Sequence, residues 1–315
     1  MSVRKLPSGE ALEELKRRVA VAPPDELDGI AQELGYANAD SLRRSLRSHG
    51  FSRHLVPKSD HVDIKRIKAP LPHDLSFLYL LNFCDWHDGH VLFDEDSLDG
   101  YIQWVRKTPN AYVTLDGDII DCPTLSSRAS AIYSQIRTPQ EAIEHAADKL
   151  KPIKTRILAA TDGTHEKRVS KETGIEPTRE ILAHLGLPLN IYAPDSVLLE
   201  LNMGTDFKYH AYIIHGWGGA RKTGGQVNKT EDLGGIIHAD LYLTGHEHTL
   251  FMSRCNYIMP DLTLHRKVFV GCGGFMKYGD YLQSIGRKPP DIGTARIRLE
   301  GPTGKKGHKD IHVDI

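Results

Sequence analysis

The stretch LSFLYLLNFCDWH, residues 75–87, begins as an apolar run and ends in an aspartate and a histidine one residue apart. A short run of leucines and aromatic residues between polar segments predicts a buried β-strand. Asp85 and His87 therefore stand directly after a predicted strand. Ligand sites in open α/β sheets form at the carboxyl ends of strands, so this position favours a functional site.

Four more apolar runs end in the same way, in the order AYVTL, TRILAA, HAYIIH and ADLYLT. Helical patterns lie between several of these runs, and the alternation indicates a layered α/β domain. Because five predicted strands deliver polar groups at their carboxyl ends, we expect these groups to meet at one point. After the first run, the groups are Asp118 and Asp121, then Asp162, Thr164 and His165, then His215, then His246 and His248.

The segment GHEH, residues 245–248, has one histidine on each side of Glu247. The chain has 17 histidines, so two could lie this close by chance. In an extended segment, however, alternate side chains point the same way, so His246 and His248 can face one site while Glu247 points away. Aspartate and histidine offer the oxygen and nitrogen donors that suit manganese, iron or zinc.

These motifs resemble those of the calcineurin-like metallophosphoesterases, which run DxH, GDxxD, GNHE/D, H-G and GHxH. The resemblance covers about residues 76–250, and the stretch GCGGFMKYGDYLQSIGRKPPDIGTARIRL resembles the closing region of bacteriophage-type members. It implies an α/β fold in which a layered β-sandwich is flanked by helices. It also implies two divalent metal ions, with manganese expected and iron, zinc or nickel as alternatives.

The resemblance assigns a role to each of these side chains. Asp118 would bridge the two metals, and His165 would protonate the leaving oxygen or stabilise charge on the phosphate. Asp121 would support a histidine from outside the metal shell. The remaining ligands would be Asp85, His87 and His248 for one metal, and His215 and His246 for the other.

Thr164 departs from the family pattern, which has asparagine at this position. A hydroxyl is a poorer metal donor than an amide oxygen, so Thr164 is an uncertain ligand of the second metal. Asp162 or a water could complete the shell instead, or the loop could be shifted.

Three helices are predicted before this domain, within residues 1–58. Leu12, Leu15 and Val19 form one apolar stripe, and a second stripe ends before Gly35. The segment IAQELGYANADSLRRSLRSHGF, residues 30–51, resembles a helix-turn-helix, which predicts a small all-α domain that binds DNA. The candidate DNA contacts are Arg43, Arg44, Arg47 and Arg53. A protein-docking module is the alternative.

Between these parts, residues 59–73 mix charge and proline with little periodicity, so we predict a linker followed by a metallophosphoesterase domain over residues 74–315. The net charge of −1 gives no global attraction to nucleic acid. No apolar run approaches the roughly 18 residues that span a bilayer, and no signal peptide is recognised, so we expect a cytoplasmic protein without a membrane partner. The four cysteines lack CxxC spacing, and we expect no disulfide partner.

Three functions remain open at this point. The leading hypothesis is a metal-dependent phosphodiesterase, nuclease-like, that cleaves DNA or another nucleic acid by attack of a metal-activated hydroxide. The second is a phosphatase acting on monoesters, nucleotides or phosphoproteins, with the helices as a docking module. The third is a non-enzymatic DNA-binding regulator with a degenerate metal site.

Overall fold

The structure, a computed structural model, describes residues 6–21, 24–47, 64–125, 127, 129–205, 207–304 and 308–315. The chain divides into two compact units, Met1–Asp63 and Ile64–Ile315. None of the helices in the described part of the chain has both the length and the apolar character needed to cross a membrane.

The first unit contains the three predicted helices, α1 (Glu10–Val21), α2 (Pro24–Glu33) and α3 (Ala39–Arg47). Gly35, with φ 76°, follows the second helix in the left-handed region that favours glycine. The helices pack around a small core whose members lie on the predicted apolar stripes. These are Leu15, Val19, Leu27, Ile30, Ala31, Leu42 and Leu46.

The second unit is built on two sheets. The six-stranded sheet has the order β1-β5-β6-β7-β9-β8, and the five-stranded sheet has the order β11-β10-β2-β3-β4. The strands are β1 (Lys65–Lys68), β2 (Phe77–Phe83), β3 (Ala111–Asp116), β4 (Ile157–Thr161), β5 (Ser196–Gly204), β6 (Phe207–Ile214), β7 (Leu241–Thr244), β8 (Phe251–Ile258), β9 (Leu264–Gly271), β10 (Arg296–Glu300) and β11 (Ile311–Asp314).

Helices cover the outer faces of the two sheets. These helices are α4 (Glu95–Lys107), α5 (Pro139–Leu150), α6 (Thr164–Thr173), α7 (Pro177–His184) and α8 (Thr223–Ile236), and a further short helix is α9 (Asp280–Ser284). The five-stranded sheet packs against α4 to α7, whereas α8 packs on the six-stranded sheet. A second apolar core fills the space between the sheets. The predicted layered α/β sandwich is therefore confirmed.

Strand β2 shows why its sequence is almost wholly apolar. Leu78 and Leu80 enter the core between the sheets, while Leu81 and Phe83 enter the core beneath the helices. A strand buried on both faces is apolar at almost every position, and its one buried polar side chain, Asn82, is hydrogen-bonded to Asp116 and Thr114.

One boundary differs from the sequence prediction. Strand β1, Lys65–Lys68, lies inside the segment 59–73 that we predicted to be a linker. It pairs in parallel with β5 and places Ile67 opposite Leu199. Only one of its four residues is buried, so its sequence has too short a pattern to be recognised without its partner strand.

Candidate metal centre

The predicted ligands lie where parallel strands end. In the five-stranded sheet, β2, β3 and β4 are parallel neighbours, and in the six-stranded sheet, β6 and β7 are parallel neighbours. Their carboxyl ends lead into five loops that converge on one edge of the sandwich. Among the described residues, those loops contribute three groups of possible metal ligands, made from Asp85, His87, Asp118, His165, His215, His246 and His248.

The backbone at these ligands is strained. Eight described residues other than glycine have a positive φ, and five of them are candidate ligands. Such a conformation is costly for residues with a side chain, and it clusters at functional sites. The five are Asp85, His87, Asp118, His246 and His248.

The first group joins the DxH loop to the GHEH loop. The Nε2 atoms of His87 and His248 lie 3.2 Å apart, and the two rings are stacked. His248 Nε2 is also 3.3 Å from Asp85 Oδ1. The other oxygen of Asp85 accepts the His246 backbone N–H at 2.8 Å, which fixes the GHEH loop to the DxH loop. Two nitrogens and one oxygen thus face a common point.

The second group contains Asp118, His215 and His246. His215 Nδ1 donates to the backbone oxygen of Asp116 at 2.5 Å, so its Nε2 is left as the acceptor and lies 3.1 Å from Asp118 Oδ2. His246 Nε2 donates to the Gly218 oxygen at 2.7 Å, which leaves Nδ1 as the acceptor. Hydrogen bonds that fix the tautomer in this way are typical of metal-binding histidines.

A cation explains atoms that have no other partner. Within the described part of the chain, Asp85 Oδ1, His215 Nε2 and His246 Nδ1 are buried and have no hydrogen bond. A buried polar atom without a partner is costly, whereas an aspartate and histidine set of this kind suits borderline divalent metals. The residues therefore fit the divalent metals that the sequence predicts.

Asp118 lies between the groups. It belongs both to the set with His215 and His246 and to a third set with His87 and His165. Burial alone would raise the pKa of Asp118. Without a metal, however, the neighbouring His215 and His165 imidazoles stabilise the carboxylate when they are protonated, which outweighs burial and holds the pKa of Asp118 well below its ordinary value. Asp118 is thus placed where a bridging carboxylate would be.

The pKa of His87 also reflects the surrounding carboxylates. Burial lowers it, but the carboxylate of Asp121, whose Oδ1 lies 3.6 Å from His87 Nδ1, and the charges of Asp118 and Asp85 raise the pKa to about 9. A histidine must be neutral to bind a metal, so binding at this site is expected to release a proton.

Thr164, the uncertain ligand, lies beside the carboxylate of Asp118. Its hydroxyl lies 3.1 Å from Asp118 Oδ2 and donates to that carboxylate. The alternative donor, Asp162, accepts the Tyr192 hydroxyl at 2.6 Å and is in none of the ligand groups found in the described residues. Thr164 thus contacts the metal groups through Asp118.

His165 and Asp121 form a pair beside the first group. His165 Nδ1 lies 2.7 Å from Asp121 Oδ1, and Gln135 Nε2 donates to the other oxygen of Asp121 at 2.7 Å. Burial would raise the pKa of Asp121, but the close contact with His165 and the nearby imidazole of His87 lower it well below its usual range. Because Asp121 binds Nδ1, the Nε2 atom of His165 is directed away from this carboxylate and can exchange a proton with a substrate.

Glu166 stands at the last position of the GNHE/D motif, but the sequence assigned it no role. Its buried carboxylate accepts backbone N–H groups from Gly163, Asp118 and Ile119 at 3.0, 2.8 and 2.7 Å, and from Ile120 at 3.2 Å. It therefore joins the loops that follow β3 and β4. The available signal was a glutamate three residues after Gly163, the residue that caps α6.

Two glycines allow those loops to touch. A Cβ at Gly117 would lie 2.0 Å from Gly163 N, and a Cβ at Gly163 would lie 2.2 Å from Asp118 Oδ1. Any larger residue would separate the loops and move Asp118 away from the site.

The metal groups open onto a cavity of about 630 Å³. His87, His165 and His248 line it, together with Arg168. Arg168 Nη2 lies 2.9 Å from His165 Nδ1, and Arg168 belongs to none of the motifs recognised in the sequence. The cavity is large enough for a small organic ester beside the candidate metals and His165.

No known protein-family model matches the chain, and no curated protein matches it in sequence. Solved structures that are similar to it include Vps29 from Entamoeba histolytica in complex with zinc, with 12% identity and a TM-score of 0.35 over 75% of this chain and 98% of Vps29. A metallophosphoesterase from Sphaerobacter thermophilus has 12% identity and a TM-score of 0.34, and the match covers 76% of this chain and 89% of that protein. The calcineurin-like phosphoesterase YfkN from Bacillus subtilis has 13% identity and a TM-score of 0.36, and the match covers 76% of this chain and 90% of that protein. Similarities this low transfer no activity, so the function is argued from the residues of this chain.

Proposed function

We propose that this chain is a divalent-metal-dependent phosphoesterase that hydrolyses phosphodiester bonds of nucleic acid, with DNA as the expected substrate. The observation that carries the proposal is the convergence of two Asp/His groups, with buried ligand atoms that lack partners, beside the His165–Asp121 pair. Divalent cations held there would supply positive charge for phosphoryl oxygens and lower the pKa of a water molecule.

The chain's own residues then have distinct tasks. Asp118, placed between the groups, fixes the distance between the two halves of the site. His165 is oriented by Asp121 and protonates the leaving oxygen, while the nearby Arg168 adds positive charge beside the phosphate. The walls formed by the two sheets keep Asp85, Asp118 and His215 away from bulk water.

The direct test is hydrolysis of bis(p-nitrophenyl) phosphate and p-nitrophenyl phosphate by the full chain, first treated with a chelator and then supplied with manganese. We expect manganese-dependent activity that favours the diester. A strong preference for the monoester would instead favour the phosphatase hypothesis. Bound metal without hydrolysis of either ester would favour the DNA-binding regulator.

The DNA part of the proposal rests on α3. Leu42 and Leu46 are fully buried in the helical core, and Arg44 is exposed while Arg43 is partly exposed. Arg43 has only a weak ion pair, at 3.5 Å, with the exposed Asp40. The Arg47 side chain and Arg53 lie outside the described residues. The basic side of α3 is therefore suited to phosphate contacts.

Replacing Arg43 and Arg44 with alanine in the full chain tests this surface. Each lost phosphate contact should reduce the steepness of the slope of log K for duplex binding against log salt concentration by about 0.9. Hydrolysis of the small diester should not change, which serves as the control for folding. If the slopes of wild type and variant match, the helices do not contact DNA phosphates and protein docking becomes the better hypothesis.

A further inference from the structure

A second cavity adjoins the candidate metal centre. It encloses about 360 Å³, and His246 and His248 form part of its wall. His248 also lines the larger cavity that holds His165. A molecule bound at the metal groups can therefore extend from one cavity into the other past His248.

The wall of this second cavity is rich in cations. Arg221, Arg287 and Lys288 line it, together with the carboxylates Glu247 and Asp291. The charge of Glu247 is offset by Lys229, whose Nζ lies 2.7 Å from Oε1. Asp291 Oδ2 accepts the Leu250 backbone N–H at 2.8 Å. A surplus of positive charge thus remains on this wall.

The three cations differ in how they are held. Arg287 Nη1 contacts Glu247 Oε2 at 3.4 Å and the Ala220 oxygen at 3.2 Å, so its position is fixed. Arg221 and Lys288 are exposed, and neither has a hydrogen bond or ion pair with the residues that the structure describes. Their charges are available to an anion.

An acceptor without a partner stands in the same wall. Gln226 is 6% exposed, and its Nε2 donates to the Ala220 oxygen at 3.1 Å. Its Oε1 is buried and has no hydrogen-bond partner among the described residues. This oxygen can accept a hydrogen bond from a bound molecule, and a sugar hydroxyl is a suitable donor.

We propose that this cavity binds a second phosphate of the substrate, next to the phosphate that is hydrolysed. The inference rests on the proposed function, because it assumes that the metal groups hold the first phosphate. Arginine and lysine form their strongest hydrogen bonds with phosphate and carboxylate oxygens. The second phosphate has two possible sources, the next nucleotide of a strand or a phosphate joined directly to the first.

A matched pair of substrates tests the proposal by turnover. One is the p-nitrophenyl ester of thymidine 5′-phosphate, and the other carries an additional 3′-phosphate. With manganese present, we expect the second to have a kcat/KM about tenfold higher. The Arg221→Ala/Lys288→Ala double variant should lose this preference and hydrolyse the first substrate at the wild-type rate. A double variant that keeps the preference overturns the proposal. A wild-type enzyme without the preference rules out the next nucleotide of a strand as the source of the second phosphate.

Single variants separate a specific contact from general charge. Arg221→Ala should reduce the preference, whereas Lys222→Ala, which removes one charge from the next position of the same loop, should not. Equal losses in the two variants would mean that the effect comes from net charge, and the second-phosphate site would be rejected.

Calorimetry tests the same contact without turnover. Thymidine 3′,5′-bisphosphate, thymidine 5′-diphosphate and thymidine 5′-phosphate are titrated into the wild type and the double variant. Tighter wild-type binding of the bisphosphate assigns the site to the next nucleotide of a strand, and tighter binding of the diphosphate assigns it to a polyphosphate. If neither binds more tightly than the monophosphate, the second-phosphate site does not exist. If neither nitrophenyl ester is hydrolysed, the proposed function is wrong, and these titrations still decide the binding site.

Discussion

Aspartate and histidine side chains come together at both ends of the strands of the six-stranded sheet, which we call its carboxyl and amino edges. Only the carboxyl edge has the features of a metal centre. At the carboxyl ends of β6 and β7, His215 and His246 have ring nitrogens without partners. At the amino-terminal ends of the strands, Asp240 lies 3.7 Å from His265 and 3.9 Å from His210. Both edges therefore contain the same residue types, aspartate and histidine.

The contacts of Asp240 explain the difference. Lys309 Nζ lies 2.7 Å from its Oδ1, and the His210 backbone N–H donates to its Oδ2 at 2.8 Å. None of these residues has a positive φ or belongs to a ligand group among the described residues. The carboxylate is already satisfied by a lysine and a backbone group. Buried atoms without partners and a strained backbone therefore distinguish a functional edge better than residue types do.

The largest expected effect separates the two edges by mutation. Asp118→Asn and His248→Ala should abolish metal-dependent hydrolysis, because each removes a ligand from the shared groups. Asp240→Asn should leave the rate of the folded protein unchanged. The measurement is turnover of the small diester with manganese, with thermal unfolding as the control for folding. Full activity of chelator-treated Asp118→Asn would refute the metal site.

A smaller effect is expected at His165, whose importance depends on the leaving group. His165→Asn should keep the metal content and cost at least about tenfold on a diester with an alkoxide leaving group, but less on a nitrophenyl ester, which needs no proton. His265→Asn at the opposite edge should change neither rate. Equal losses on both esters would show that His165 binds metal or stabilises charge instead of donating a proton.

The role of Glu166 can be measured through metal affinity. Because it accepts four backbone N–H groups of the ligand-bearing loops, Glu166→Gln should weaken manganese binding about tenfold, as measured by competition with a chelator. Glu180→Gln on the exposed side of α7 is the matched control. Unchanged affinity in Glu166→Gln would mean that the loops are held by other contacts.

The smallest effect concerns pH. Burial raises the pKa of Asp162 to about 7, above the ordinary value of about 3.9. Between these values the folded protein keeps a proton that the unfolded chain has lost, so the stability from this group is lost as the pH rises towards 7. Without metal, the difference in Tm between Asp162→Asn and wild type should therefore shift in favour of the variant by about 3 °C or more from pH 4 to pH 8. A constant difference would show that Asp162 titrates normally.

The outline of the fold followed from local sequence patterns. Apolar stripes at helical spacing predicted α1, α2 and α3, because those residues have to meet in one core. Runs such as FLYLLNF predicted buried strands for the same reason. Strand β1 escaped prediction because a strand of four residues with one buried position is defined by its partner, β5.

The sequence by itself determined which residue types stand at the ends of the strands, and hence that Asp85, Asp118 and His215 would share an edge. Only the tertiary structure decided which hydrogen bonds the neighbouring polar residues form around them. Asp121 accepts from His165, Thr164 donates to Asp118, and Glu166 binds the backbone of two loops. The physical reason is that a hydrogen bond forms or fails over a few tenths of an ångström between residues far apart in the chain, whereas strand and helix patterns arise from neighbours.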